Sequence, residues 1–238
     1  MSELVHIYQW YEADGDTMRR MKAARDTWPA WYDQDREMVR PWVYRLRNDD
    51  RTSLSIGAKK RCPFVKHVFD KALLFNPNMH LFVYGNSDIH VVLDASHYIR
   101  RSLSKYGCGY SKRVDFKPGW VPEHPITMAD LGAHIEATWY QGADLFWFTR
   151  DWWEATREDF PDAVLGYEGW DFCMKQSMHE SGFPEAVDWL IYHEEHDNHW
   201  KATLETLPGQ LYCRKLCREW AERHGYQDRI HEKGFLFT

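Results

Sequence analysis

At 238 residues, with 44% apolar and 28% charged side chains, the chain has the size and composition of a globular α/β domain with a sizeable core. A formal charge of -6 argues against a general polyanion binder, and no stretch approaches the ~18 apolar residues of a helical membrane span. Aromatic residues reach 16%, including 13 Trp, an excess that suits stacking on sugars or bases as well as core filling.

Leu4 to Trp10 alternates and is rich in β-formers, which predicts a first strand. The loop "EADGD" ends in Asp16, a candidate N-cap for a helix from Thr17 to about Trp28. Arg19, Arg20, Lys22 and Arg25 cluster on that helix, as a solvated face or as an anion-facing one. Met38 to Leu46 reads as a second strand. After Pro63, apolar residues at 64, 65, 68, 69, 72 and 73 have a helical period, which "NPN" stops. Leu81 to Tyr84 is the third strand, and this strand–helix order predicts an α/β sheet with parallel crossovers. "DASHYIRRSLSKYG" follows as a helix with Asp94 as N-cap and Gly107 past its end. The Pro- and Gly-rich segment from Gly109 to Pro125 is expected to be a loop, and Ala129 to Tyr140 a helix. Ala143 to Arg150 reads as a strand, Val187 to Tyr192 as a late strand, and Leu211 to His224 as a helix. No repeat or long linker divides the chain, so one domain over residues 1–238 is expected.

The five cysteines (Cys62, Cys108, Cys173, Cys213, Cys217) include no CxxC pair, which argues against structural zinc and for free thiols in a reducing compartment. The opening "MSELVHIYQW" has neither a basic nor an apolar leader, so a cytoplasmic protein is expected.

Four stretches carry candidate chemistry. "LFVYGNSDIHV" places Asn86, Ser87 and Asp88 just beyond a strand's carboxyl end, where open α/β sheets bind ligands. Asp88 there either caps a turn or holds a divalent cation that neutralises a diphosphate. "IYHEEHDNHW" offers His193 and His196 at a spacing that can present two imidazoles to one ion, or it is polar surface; it is not HExxH. "GYEGWDF" holds Glu168 and Asp171 three residues apart, as an acid/base pair on one helix face or as a helix cap. "ADLFWFTRDWW" brings Asp144, Arg150, Trp152 and Trp153 to the ends of an apolar run, the tryptophans serving as a sugar platform or as core. There is no GxGxxG, P-loop, GxSxG or kinase signature, which disfavours dinucleotide oxidoreductases, NTPases and serine hydrolases.

In this order, "RCPFVKHVFDKAL", "YGNSDIHV", "ADLFWFTRDWW" with "LGYEGWDF", and "IYHEEHDNHW" resemble the GT-A, nucleotide-diphospho-sugar transferase type of glycosyltransferase, in a group whose strand-end motif reads roughly "TNSDI". The resemblance implies a single GT-A-like (Rossmann-like) α/β domain with a mixed, mostly parallel central sheet flanked by helices. Asp88 then stands where the family's Asp-x-Asp-like motif binds metal and nucleotide, with Asn86 replacing the first acid. His193 and His196 stand where such enzymes supply a metal-ligating His. Asp171 is implied as catalytic base, Glu168 as acceptor-binding or alternative acid, and Arg61 and Lys66 as diphosphate contacts beside Asn86 and Ser87. The implied cofactor is Mn²⁺ or Mg²⁺, and the co-substrate a nucleotide sugar such as a UDP-sugar. Two rival readings use the same residues: a nucleotidyltransferase or nucleotide-sugar hydrolase, and a non-catalytic carbohydrate-binding module. The acceptor stays open among a glycan, a small molecule, a protein and a hydroxylated DNA base. Basic patches at Lys59-Lys60-Arg61, Arg100-Arg101 and Lys112-Arg113 keep the last in play.

Overall fold

A strand buried on both faces needs a nearly continuous apolar run, and Leu4–Gln9, strand β1, has five of its six residues buried. In this computed structural model, residues 3–9, 15–34, 39–47, 50–118, 126–133, 137–184, 189–196 and 207–226 are described. They fall into two compact units. The first comprises Met1–Arg45, Asn76–Ala155 and Met178–Asp197, and the second Leu46–Phe75, Thr156–Ser177 and Asn198–Thr238.

The first unit holds a seven-stranded sheet. β1 pairs in parallel with β2 (Val39–Tyr44) on one side and β3 (Leu81–Gly85) on the other. The remaining strands are β4 (Ile89–Val91), β5 (Cys108–Phe116), β6 (Ala137–Thr149) and β7 (Trp189–Glu194), in the order β2-β1-β3-β6-β5-β7-β4. β5 and β7 are parallel, while β3–β6, β5–β6 and β4–β7 are antiparallel. The α/β class and the mixed, helix-flanked sheet therefore stand as expected, with the parallel crossovers concentrated in the first half of the chain.

Only Asn86–Asp88 separates β3 from β4, yet four strand spacings lie between them in the sheet. A flat sheet would hold them ~19 Å apart at about 4.8 Å per spacing, whereas so short a link reaches roughly 14 Å. The sheet must curl, and the register shifts of β5 between Ser111 and Arg113 mark where it bends.

Helix α1 (Gly15–Gln34) continues through Pro29, well past the expected end at Trp28. Burial overrides the proline, because Trp28 and Trp31 are 1% and 0% exposed. Trp28 Nε1 donates to the Ile89 carbonyl at 3.0 Å and Trp31 Nε1 to Ser96 Oγ at 2.9 Å. Asp16 is not a cap: it lies in the first turn and accepts from Arg19 Nε at 3.1 Å and from Arg20. In helix α3 (Ala95–Tyr106), Asp94 makes no capping bond and instead accepts from the Met128 N–H at 3.0 Å, while Gly107 ends the helix with φ 72° as expected.

Two expectations fail in the middle of the chain. The segment from Gly109 expected as a loop is strand β5 as far as Phe116, which buries Tyr110, Val114 and Phe116; its Pro- and Gly-rich end, 119–125, lies outside the described residues. The helix expected over 129–140 is the short α4 (Met128–Ala133), and β6 begins already at Ala137, recruited by pairing with β5. Arg150, read as a strand end, opens helix α5 (Arg150–Thr156).

The second unit contains a 3₁₀ turn (Ser53–Ile56), α2 (Val65–Phe75), most of α6 (Trp170–Glu180) and α7 (Leu207–Arg223). Its buried side chains include Phe64, Phe69, Val164, Tyr167 and Trp220. Arg157 grips Asp70 with two hydrogen bonds of 3.0 and 2.6 Å. All five cysteines are free thiols. Among the described residues no helix is long and apolar enough to cross a membrane.

Gly109 tests the packing of β5 against β6. A Cβ there would sit 2.4 Å from Trp147 Nε1 and 2.6 Å from Ser102 Oγ, in a spot that a rigid indole cannot vacate. Gly109→Ala is expected to cost ~1–3 kcal/mol in urea unfolding. Gly15→Ala, with nothing within 4 Å of the added carbon, is expected to stay within ~0.5 kcal/mol of the parent.

Candidate functional site

β5 is antiparallel to β6, which is antiparallel to β3, so β1, β3, β5 and β7 run the same way and end at one edge. Gln9, Asn86 to Asp88, Asp115 and His193 to His196 therefore meet where an α/β sheet presents ligands. Asp88, from the β3–β4 link, and His193 and His196, from the end of β7, offer one ligand atom each, all within 4.8 Å of one another. Asp88 Oδ2 lies 3.4 Å from His193 Nε2 and 3.5 Å from His196 Nε2, and the two Nε2 atoms are 3.2 Å apart. Of the sequence-predicted residues, these are the three implied as metal ligands. Asp197 and His199 of the same stretch lie outside the described residues.

Charge is balanced tightly here. Burial disfavours the ionised form of Asp88, but hydrogen bonds from His193 and His196 outweigh it and hold the carboxyl well below the usual range. Burial likewise opposes charge on His193, yet the Asp115 and Asp88 carboxylates push it up to about 9. Neighbouring His90 is driven the other way, to about 4, by burial and then by the charge of His193; it stacks on Tyr192 with ring centroids 4.7 Å apart.

The rest of the strand-end motif is tied into the protein. Asn86 Nδ2 donates to Asp144 Oδ1 at 2.5 Å, and its Oδ1 accepts from Tyr84 Oη at 3.3 Å. Ser87 Oγ donates to the Gln9 carbonyl. Asp144 Oδ2 in turn accepts from Arg113 Nη1 at 2.5 Å, and Arg113 Nε lies 2.8 Å from Asp115 Oδ1. Residue type accounts for Asn86: a carboxylate there would face that of Asp144, whereas an amide N–H bonds it. The Lys112-Arg113 patch is accordingly no open basic surface, since Arg113 is only 15% exposed and lies between two acids.

Two members of the basic cluster on α1 are also engaged within the protein, while Lys22 and Arg25 are exposed. Arg19 makes a two-pronged ion pair with Glu194 at 2.9 and 2.6 Å, and Arg20, 3% exposed, binds Asp16 and Thr17. Trp152 and Trp153, 8% and 0% exposed, are core residues packed on Phe148, which removes the platform reading.

The other predicted site residues belong to the second unit. Glu168 accepts from Arg214 Nε at 2.7 Å, and its N–H donates to Gln210 Oε1 at 3.0 Å. Asp171 is half-buried in the first turn of α6. Arg61 donates to the Arg47 carbonyl, and Lys66 Nζ lies 3.4 Å from the Glu158 carbonyl. Sequence reasoning missed Asp115 and read Arg113 only as part of a basic patch, although "RVDF" puts an Arg and an Asp two apart, on one face of a strand.

One carboxylate and two imidazoles form a mixed O/N donor set that suits Mn²⁺, which accepts imidazole alongside oxygen, better than Mg²⁺, which prefers oxygen alone.

No family model and no curated protein matches the chain. Solved structures similar to it at low identity include the following two. One is a glycosyltransferase involved in the glycosylation of the major capsid of PBCV-1, with 10% identity, TM-score 0.35, and coverage of 81% of each chain. The other is 4-diphosphocytidyl-2C-methyl-D-erythritol synthase from Anaerococcus prevotii, with 9% identity, TM-score 0.37, and coverage of 89% of this chain and 96% of that one.

Isothermal titration with Mn²⁺ is expected to give one site per chain, lost in Asp88→Ala and in His196→Ala. The ion takes the neutral imidazole, so His193, raised to about 9, must release its proton. Between pH 7 and 8.5 the apparent affinity should therefore rise, by up to ~10-fold per pH unit for one released proton. A flat profile would exclude His193 as a ligand.

Proposed function

We propose that this chain is a glycosyltransferase moving a sugar from a nucleotide-diphospho-sugar donor to an acceptor hydroxyl. One observation carries the reading: Asp88 meets His193 and His196 across more than a hundred residues, at the carboxyl edge of the sheet. These are the residues that the resemblance to GT-A enzymes assigns to the donor's cation. In this reading Asp88, His193 and His196 would hold a divalent cation, Mn²⁺ rather than Mg²⁺, which would supply charge neutralisation for a nucleotide diphosphate.

The chain's own residues do the rest. Asn86 and Ser87 belong to the donor edge, and their bonds to Asp144 and Gln9 fix the backbone that presents Asp88. Arg61 and Lys66 are the proposed diphosphate contacts. Asp171 is the proposed base, which in an inverting transfer would take the acceptor's proton as its oxygen attacks the anomeric carbon; a retaining transfer needs no such base. Glu168, already held by Arg214, suits the acceptor-binding role better than proton transfer. Residues 1–238 act in this proposal as one glycosyltransferase-like domain of the cytoplasm. A glycan, a small molecule, a protein or a hydroxylated DNA base can serve as acceptor.

Thermal unfolding with a panel of nucleotide sugars tests the reading. A cognate donor at about 100 times its Kd should add ~2.7 kcal/mol, or roughly 5–10 °C in Tm for a chain of this size, only when Mn²⁺ is present. Asp88→Ala should abolish the shift. Stabilisation by a nucleoside triphosphate but by no nucleotide sugar would favour a nucleotidyltransferase. Stabilisation by free glycans alone would favour a carbohydrate-binding module.

A further inference from the structure

We propose that Asp115 is a positioning residue for the cation site, orienting His193 from behind so that its Nε2 faces the ion; this rests on the cation-site reading above. His193 shows Nε2 to Asp88 and His196, while its other nitrogen, Nδ1, faces Asp115 Oδ1 at 3.3 Å. Both of these atoms are buried, and neither completes a hydrogen bond as it stands. Two buried polar atoms at this separation and off the bonding line are a small ring rotation from pairing, and leaving them unpaired costs free energy. Imidazole ligands of metal ions characteristically give their second N–H to a carboxylate, which fixes the tautomer and raises the basicity of the ligating nitrogen. Asp115 is the group that can accept that proton.

Asp115 is itself anchored. Arg113 lies against it at 2.8 Å and reaches on to Asp144, which holds Asn86. Register keeps the pair together: in the parallel β5–β7 ladder Asp115 is the partner of His193. One half-buried polar chain therefore runs from the turn carrying Asp88 to the back of His193, so the two segments that would hold the ion are set by the same residues.

The test is Mn²⁺ titration by calorimetry of the full chain and of Asp115→Ala and Asp115→Asn, with near-UV circular dichroism to establish folding. Asp115→Ala is expected to bind 10–100-fold more weakly. Asp115→Asn, which keeps an acceptor oxygen, should lose less, and it carries the test if the alanine variant does not fold. A structural role alone would not move the second readout, ¹⁵N NMR of the imidazoles with Zn²⁺ as a diamagnetic probe. Nδ1 of His193 should be protonated in the parent when Zn²⁺ is bound and exchange faster in Asp115→Ala. Wild-type affinity in both folded variants, or Zn²⁺ on Nδ1, overturns the proposal while leaving the cation site standing. No Mn²⁺ binding by the parent overturns both.

Discussion

The short link between β3 and β4 governs the layout of the first unit. Three residues cannot bridge four strand spacings of a flat sheet, so the sheet bends until the β7–β4 end approaches the tip of β3. The β4–β7 pairing, with Ile89 opposite His193, sets Asp88 beside the end of β7, and the bend brings the tip of β3 with Asn86 to the same place. The irregular register of β5 at Ser111 to Arg113 is the local cost of the bend, and the Arg113 guanidinium sits at that irregularity.

Burial and charge reinforce one another around this point. Around His193 the edge groups three carboxylates, from Asp88, Asp115 and Asp144, with the Arg113 guanidinium and two imidazoles. Each acid has a cationic or N–H neighbour, as buried charges require. Arg19 and Glu194 close off another part of the edge with a fork-to-fork pair, which leaves Glu194 committed to α1.

The opening strands, α2 and the clustering of Asp88 with His193 and His196 were legible in the sequence because local pattern and tertiary placement agree there. Val65 to Phe75 has a helical period and buries that stripe, and Leu81 to Gly85 is a buried apolar run that ends in polar residues. β5 and the first half of β6 were not legible, because neither segment is strand-like by itself and each becomes a strand by pairing with the other. Pro29 in α1 misled for a related reason: two buried tryptophans outweigh a helix breaker. The polar chain through Arg113 was hidden because its members lie on three strands and a turn, and sequence spacing reports only neighbours along one element. The same limit applies to Trp152 and Trp153, whose burial depends on the strands above them.

Asn86 has a consequence for the strength of the site. A divalent ion held by one carboxylate and two neutral imidazoles keeps a formal charge of about +1, where a pair of carboxylates would leave it near neutral. Less of such an ion's field would be spent on its own ligands, so more would act on an oxygen anion bound to it. Fewer anionic ligands would also make the ion easier to lose. In the proposed site, an amide at position 86 where the resemblance expects an acid would trade retention of the ion for Lewis acidity.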